Sequence, residues 1–254
     1  MDGVSQDFQV WPQHAAAVYG RALAGGPLVV CEHAARTIPP GLNDLGLPQE
    51  ALVSHVAWDI GALDVALRLS AHLGAACVAG TISRLVYDCN RPLEAAGAIP
   101  EESEIYKIPG NQGLSPAQRQ QRFDAVHQPF HDAVDHVAKR AGTASALITV
   151  HSFTPIYHGK PRDTELGLLF DADPRLAQAL LKATGPTGLK AALNVPYGPQ
   201  DGVMHTLHLH GQNRGIPHVM IEIRNDLVDT PGKAQSMADR LFPALQMALA
   251  EVCP

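Results

Sequence analysis

The chain has few of the features that direct a protein to nucleic acid or to a membrane. No Lys/Arg-rich tract occurs, and 19 basic against 25 acidic residues give a net charge of −6. A surface of that sign repels phosphate backbones and anionic lipid alike. No apolar run reaches the ~18 residues of a membrane span. The opening MDGVSQDFQVWPQ lacks the basic-then-apolar order of a secretory signal, so a cytoplasmic location is expected. Cysteine is scarce: Cys31, Cys77, Cys89 and Cys253 show no CxxC spacing and lie mostly in apolar runs. They read as buried free thiols of a reducing compartment, not as zinc knuckles or disulfides. The GxxxxGK[ST] phosphate loop is also missing, which counts against phosphoryl transfer.

What is present is a soluble, enzyme-like composition, with 46% hydrophobic and 17% charged residues over 254 positions. No linker, internal repeat or low-complexity tract divides the chain. One domain over residues 1–254 is therefore expected, with residues 1–13 poorly ordered. Short apolar runs alternate with helical patterns, the signature of an α/β fold with a mainly parallel, mixed central sheet and helices on both faces. Strands are predicted at PLVVCEH, ACVAGTI, RLVYDCN, SALITVHSF, ELGLLFD and HVMIEIRNDL. A helix is predicted with apolar positions Ile60, Leu63, Ala66, Leu67 and Leu73, others near Pro174 to Ala183 and from about Gly232 to Val252. A long amphipathic helix should start at the N-cap Ser115, kink at Pro129 and stop before Gly142.

Polar residues fall where these apolar runs end. The segment SRLVYDCNRP places Arg84 and the Asn90-Arg91 pair near the two ends of its expected strand, a layout suited to an anion clamp. Arginine offers a rigid fork for carboxylate or phosphate, and asparagine adds a neutral donor. A surface arginine pair flanking an edge strand is the plainer alternative. His33 and His151 each close a buried strand, and two imidazoles with one carboxylate and an open position make a catalytic zinc site. Asp59 is the preferred carboxylate and Glu32 its rival, because neighbours on a strand point to opposite faces and Glu32 could join His33 only if the chain has already turned. Manganese, iron or cobalt would also suit such a ligand set.

Glu222 sits among Val219, Met220, Ile221 and Ile223, where a carboxylate is costly and its pKa rises, as a general base requires. An ion pair with Arg224 or Arg91 is the structural alternative. Arg224, Tyr197 and His210 are further candidates for substrate contact, with His205 in the same Gly- and His-rich loop. His127 and His131, at i and i+4, could bind metal or substrate. The missing Glu of HExxH and the intervening Pro129 favour a structural pair.

Taken in order, the segments Cys31 to Ala34, Trp58 to Gly61, Ser83 to Pro92, His151 to Pro155, Asn194 to Tyr197 and Ile221 to Leu227 resemble the N-formylglutamate amidohydrolase family, over roughly residues 28 to 230. The resemblance implies a zinc-exopeptidase or phosphorylase-like fold, and hydrolysis of the formyl amide of an acidic N-formyl amino acid to formate and the free amino acid. By analogy with zinc carboxypeptidases, it implies His33 and His151 as zinc ligands, Arg84 at the carbonyl oxygen, Asn90 and Arg91 at a substrate carboxylate, and Glu222 as base. The carboxypeptidase ligand Glu three positions after the first His is replaced by Arg36, which leaves Asp59 and Glu32 to supply the carboxylate. A hydrolase of a related N-acyl amino acid or short peptide, a phosphate-binding enzyme and a non-catalytic binding protein are the alternatives.

Overall fold

The computed structural model describes residues 15–142 and 144–253; the expectation for residues 1–13 lies outside them. The apolar runs become strands β1 (Ala16–Tyr19), β2 (Leu28–Cys31), β3 (Ala76–Gly80), β4 (Leu147–Phe153), β5 (Leu166–Leu169), β6 (Ala191–Leu193) and β7 (His218–Arg224). They form one seven-stranded sheet in the order β1-β3-β2-β4-β7-β5-β6. The neighbours β3, β2, β4 and β7 run parallel, while β1 pairs antiparallel to β3 and β5 antiparallel to β7. The mixed, mostly parallel sheet expected from the alternating pattern is thus the observed one. Its parallel strands deliver their carboxyl ends to a single edge, where such sheets bind ligands.

Helices α1 (Ala62–Leu73), α3 (Gln128–Arg140), α4 (Arg175–Ala183) and α5 (Pro231–Val252) flank the sheet, and α2 (Pro116–Arg122) leads into α3. Alternation along each strand divides the core in two. Val219, Ile221 and Ile223 of β7, with Ile148 and Val150 of β4, pack under α1, α4 and α5. Met220 and Leu147 face the other way, toward Phe130, Val134 and Val137 of α3. His151 and Glu222 stand on this second face, opposite each other in the β4–β7 register. No helix of the described residues is long and apolar enough to cross a membrane.

The long helix begins as expected, with a reciprocal Ser115–Gln118 capping box. Ahead of Pro129 it widens into a π-turn over Phe123–His127, which separates α2 from α3. The expected RLVYDCN strand is a correction, since Ser83 to Pro92 is an irregular loop. Both the "inward" and the "outward" residues are buried there, Val86 and Asp88 as fully as Leu85, Tyr87 and Cys89. A buried loop must find partners for its backbone groups. Asn111 Nδ2 donates to Leu85 O at 2.8 Å, Arg122 Nη1 to Val86 O at 3.2 Å, and Asp88 N to Ala98 O at 2.8 Å. Side chains distant in sequence thus replace the ladder that a strand would have had.

Candidate active site

Each of the central parallel strands brings a polar group to the carboxyl edge. The chain turns just past β2, so that Glu32 and His33 point to different neighbours. Asp59 is held between the His33 carbonyl, which accepts from its backbone N–H at 3.0 Å, and the start of α1. Gly61, with φ +76°, allows that tight entry, because a Cβ there would run into the Val228 carbonyl.

His33, Asp59 and His151 converge, each offering one ligand atom within 4.8 Å of the others. Asp59 Oδ2 lies 2.9 Å from His151 Nδ1 and 3.3 Å from His33 Nδ1, and the two Nδ1 atoms are 3.2 Å apart. Behind the rings, His33 Nε2 lies 2.7 Å from Asp88 Oδ1 and His151 Nε2 3.1 Å from Glu32 Oε2. Asp88 accepts only, so it draws the His33 proton to Nε2 and turns the His33 Nδ1 lone pair toward His151 Nδ1 and an Asp59 oxygen, whereas His151 Nε2 makes no hydrogen bond to Glu32 among the described residues. Two ring nitrogens and a carboxylate oxygen meeting in a buried spot suit a cation. Glu32, Asp59 and Asp88 outnumber Arg84, a surplus of carboxylate that the raised imidazoles balance by protonation and that a dication would balance in their place. The residues present therefore fit a divalent metal, with Asp59 in the ligand position and Glu32 behind His151.

Arg84 ties this set together, donating from Nη2 to Asp88 Oδ2 at 2.8 Å and from Nη1 to Asp59 Oδ1 at 3.3 Å. Burial opposes charge on all of these groups, yet their mutual attraction prevails. Glu32 is held down to about 2, mainly by His151; Asp59 and Asp88 are also held below the ordinary carboxylate range, and His33 and His151 are raised. Glu222 goes the other way: burial pushes its carboxyl up to about 7, against the pull of His151. Its Oε2 is buried without a hydrogen-bond partner among the described residues, so neither anticipated ion pair, to Arg224 or to Arg91, forms there. Gly167 lies opposite Glu222 in the β5–β7 register and leaves room for its Cβ.

A cavity of about 350 Å³ opens above these groups, lined among others by His33, Asp59, Arg84, Arg91, Tyr197 and Glu222. Asn90 borders it too, but its amide is engaged with a loop: Nδ2 donates to Val203 O at 2.6 Å, and Oδ1 accepts from Thr206 N at 3.0 Å. Arg91 reaches the same loop, donating from Nη1 to Asp201 O at 3.0 Å. Two assignments need correction. Arg224 lies outside the cavity, its guanidinium taken up by Asp226 at 2.8 Å and Glu165 at 3.6 Å. His210 lies outside as well, buried against His131 at 2.8 Å. With His127 and His205 these form a separate group, in which burial keeps the imidazoles uncharged, His127 down to about 2 and the other three to about 4.

Sequence reasoning passed over Asp88, although it stands inside SRLVYDCNRP, and over Arg162. The Arg162 guanidinium packs 4.5 Å from the Tyr157 ring centre and 4.9 Å from that of Tyr197, and donates to Tyr197 Oη at 3.0 Å. His55 and Glu104, 2.8 Å apart, line the cavity too. A histidine–acid signal for such a pair does not exist in sequence, because the partners are 49 residues apart by number (104 − 55).

The profile of the N-formylglutamate amidohydrolase family matches residues 26–228. Among solved structures, the gene product Atu2144 of Agrobacterium tumefaciens is 47% identical, with a TM-score of 0.91 over 94% of this chain and 96% of that one. An N-formylglutamate amidohydrolase from Ralstonia eutropha JMP134 shares the fold, with a TM-score of 0.62 at 17% identity over 94% of this chain and 98% of that one. No curated protein matches. The chain belongs to the N-formylglutamate amidohydrolase family.

Proposed function

We propose that this amidohydrolase cleaves the formyl amide of an N-formyl acidic amino acid, N-formyl-L-glutamate first among them, with a divalent metal, zinc by preference, held by His33, Asp59 and His151. A zinc ion there would supply Lewis acidity toward the carbonyl and the attacking water. Glu222 takes the proton of that water and later returns it to the leaving amine nitrogen, so that water and amide give formate and the free amino acid. Arg84, fixed by Asp59 and Asp88, is a charged donor for the oxyanion that develops on the formyl oxygen. Arg91 offers its fork to a substrate carboxylate. Asn90 holds the wall beside it through Val203 and Thr206.

The observation that carries this reading is Glu222: a buried carboxyl with an unpartnered oxygen, level with His151 on the neighbouring strand and open to the same cavity. Glu222→Gln keeps the size and removes the base. Its kcat should fall by about 10²–10⁴-fold while zinc content and KM stay near those of the parent. A Glu222→Gln enzyme with undiminished kcat would remove the assignment. For Arg91→Lys, KM for N-formyl-L-glutamate should rise by about 10-fold or more, because an ammonium cannot reproduce the bidentate fork. An unchanged kcat/KM would place the substrate carboxylate elsewhere.

A further inference from the structure

Four imidazoles gather outside the cavity just described, where the long helix meets the 199–211 loop. His127 ends the π-turn before α3 and His131 stands one turn on, while His205 and His210 come from the facing loop. The His127 and His131 ring centres are 4.2 Å apart, His127 and His205 5.2 Å, and His131 and His210 5.1 Å. One ring nitrogen from each of His127, His131 and His205 lies within 4.8 Å of the other two.

Their hydrogen bonds do not close with neutral rings alone. A neutral imidazole has one N–H and one lone pair. His131 Nε2 is 2.8 Å from the Cys89 carbonyl, which only accepts, so Nδ1 keeps the lone pair. His210 Nδ1 lies 3.2 Å from Asp135 Oδ1 but makes no hydrogen bond among the described residues, and His210 Nε2 faces His131 Nδ1 at 2.8 Å. Beside them, His127 Nε2 lies 3.0 Å from His205 Nε2, and His127 Nδ1 is buried with no hydrogen-bond partner among the described residues. Extra protons would not resolve the mismatch cheaply, because a buried His127 imidazolium has no carboxylate partner among the described residues. A single cation resolves it directly. Zn–N bonds of about 2.0–2.1 Å place tetrahedral nitrogens about 3.3 Å apart, close to the spacing that the His127–His205 pair already has.

We propose that His127, His131 and His205 bind a second divalent transition-metal ion, with the Cys89 carbonyl, which accepts from His131 Nε2, orienting the His131 ring. An all-imidazole set selects a metal of the zinc, copper or nickel kind over calcium or magnesium. The ion pins the 199–211 loop to the long helix. That loop supplies Asp201 and Val203 to the wall of the catalytic cavity and the backbone groups that hold Asn90 and Arg91. His205 borders a neighbouring cavity of about 390 Å³, which gives the ion a way in.

The test counts zinc in the full chain, stripped with a chelator, reloaded with excess Zn²⁺ and passed through gel filtration. About two ions per chain are expected in the parent, and about one in each of two double variants, His127→Gln/His205→Gln and His33→Gln/His151→Gln. Because the variants empty different clusters, loss of the first centre and loss of the second are told apart. The proposal is overturned if folded His33→Gln/His151→Gln retains no zinc, or if His127→Gln/His205→Gln retains as much as the parent. Should the His127 change prevent folding, His205→Gln alone, at the half-buried edge of the cavity, should release the second ion at chelator concentrations that leave the parent loaded. Equal retention by parent and His205→Gln would overturn it as well.

Discussion

His33 and His151, the proposed metal ligands, show how much of a site is decided behind it. Asp88 holds the far nitrogen of His33 at 2.7 Å, Glu32 approaches the far nitrogen of His151 to 3.1 Å without a hydrogen bond, and Arg84 bridges Asp88 to Asp59. Asp88→Asn keeps the volume but presents an amide, which no longer obliges the His33 proton to sit on Nε2 and no longer pairs with Arg84. Zinc affinity should fall by about 10–100-fold, read by competition with a chromogenic chelator; an unaltered affinity would show that Asp88 does not orient the ring. At this scale the sequence disclosed residues that end apolar runs, because burial makes a charged group conspicuous there: His33, His151 and Glu222. It disclosed pairings poorly. Asp88 looked like the outward member of a strand, and Arg224 looked available to substrate until Asp226, two residues on, took its fork.

Elements were legible where hydrogen bonding is local and obscure where it is not. Apolar runs gave the central strands, and the Ser115 cap, Pro129 and Gly142 gave the long helix, since each carries its own backbone pattern. Ser83 to Pro92 was misread because alternation is also what a loop shows when it is buried on all sides, and its partners Asn111 and Arg122 lie far along the chain. The turn into α1 is the element on which Asp59 depends. Gly61→Ala would place a side chain at φ +76° against the Val228 carbonyl, at a cost of about 2–4 kcal/mol. Thermal unfolding should report that loss, with zinc affinity falling alongside because Asp59 lies two residues upstream. A variant as stable as the parent would mean that the turn relaxes freely.

Across the whole molecule, the parallel order β3-β2-β4-β7 explains why residues from 33 to 222 share one cavity: each crossover returns the chain to the same edge. The same order makes the fold readable in outline from alternating strands and helices, while the antiparallel pairings of β1 with β3 and of β5 with β7 leave no mark in sequence. Membership of the amidohydrolase family rests on a match from residue 26 to 228, which takes in every residue of the proposed centre. The central claim is that this centre, loaded with a divalent metal, releases formate from an acidic N-formyl amino acid. The measurement that bears on it most directly is formate released from N-formyl-L-glutamate by chelator-stripped protein, before and after zinc is added. Little release before and restored release after is expected; folded protein that has taken up zinc and still releases no formate would contradict it.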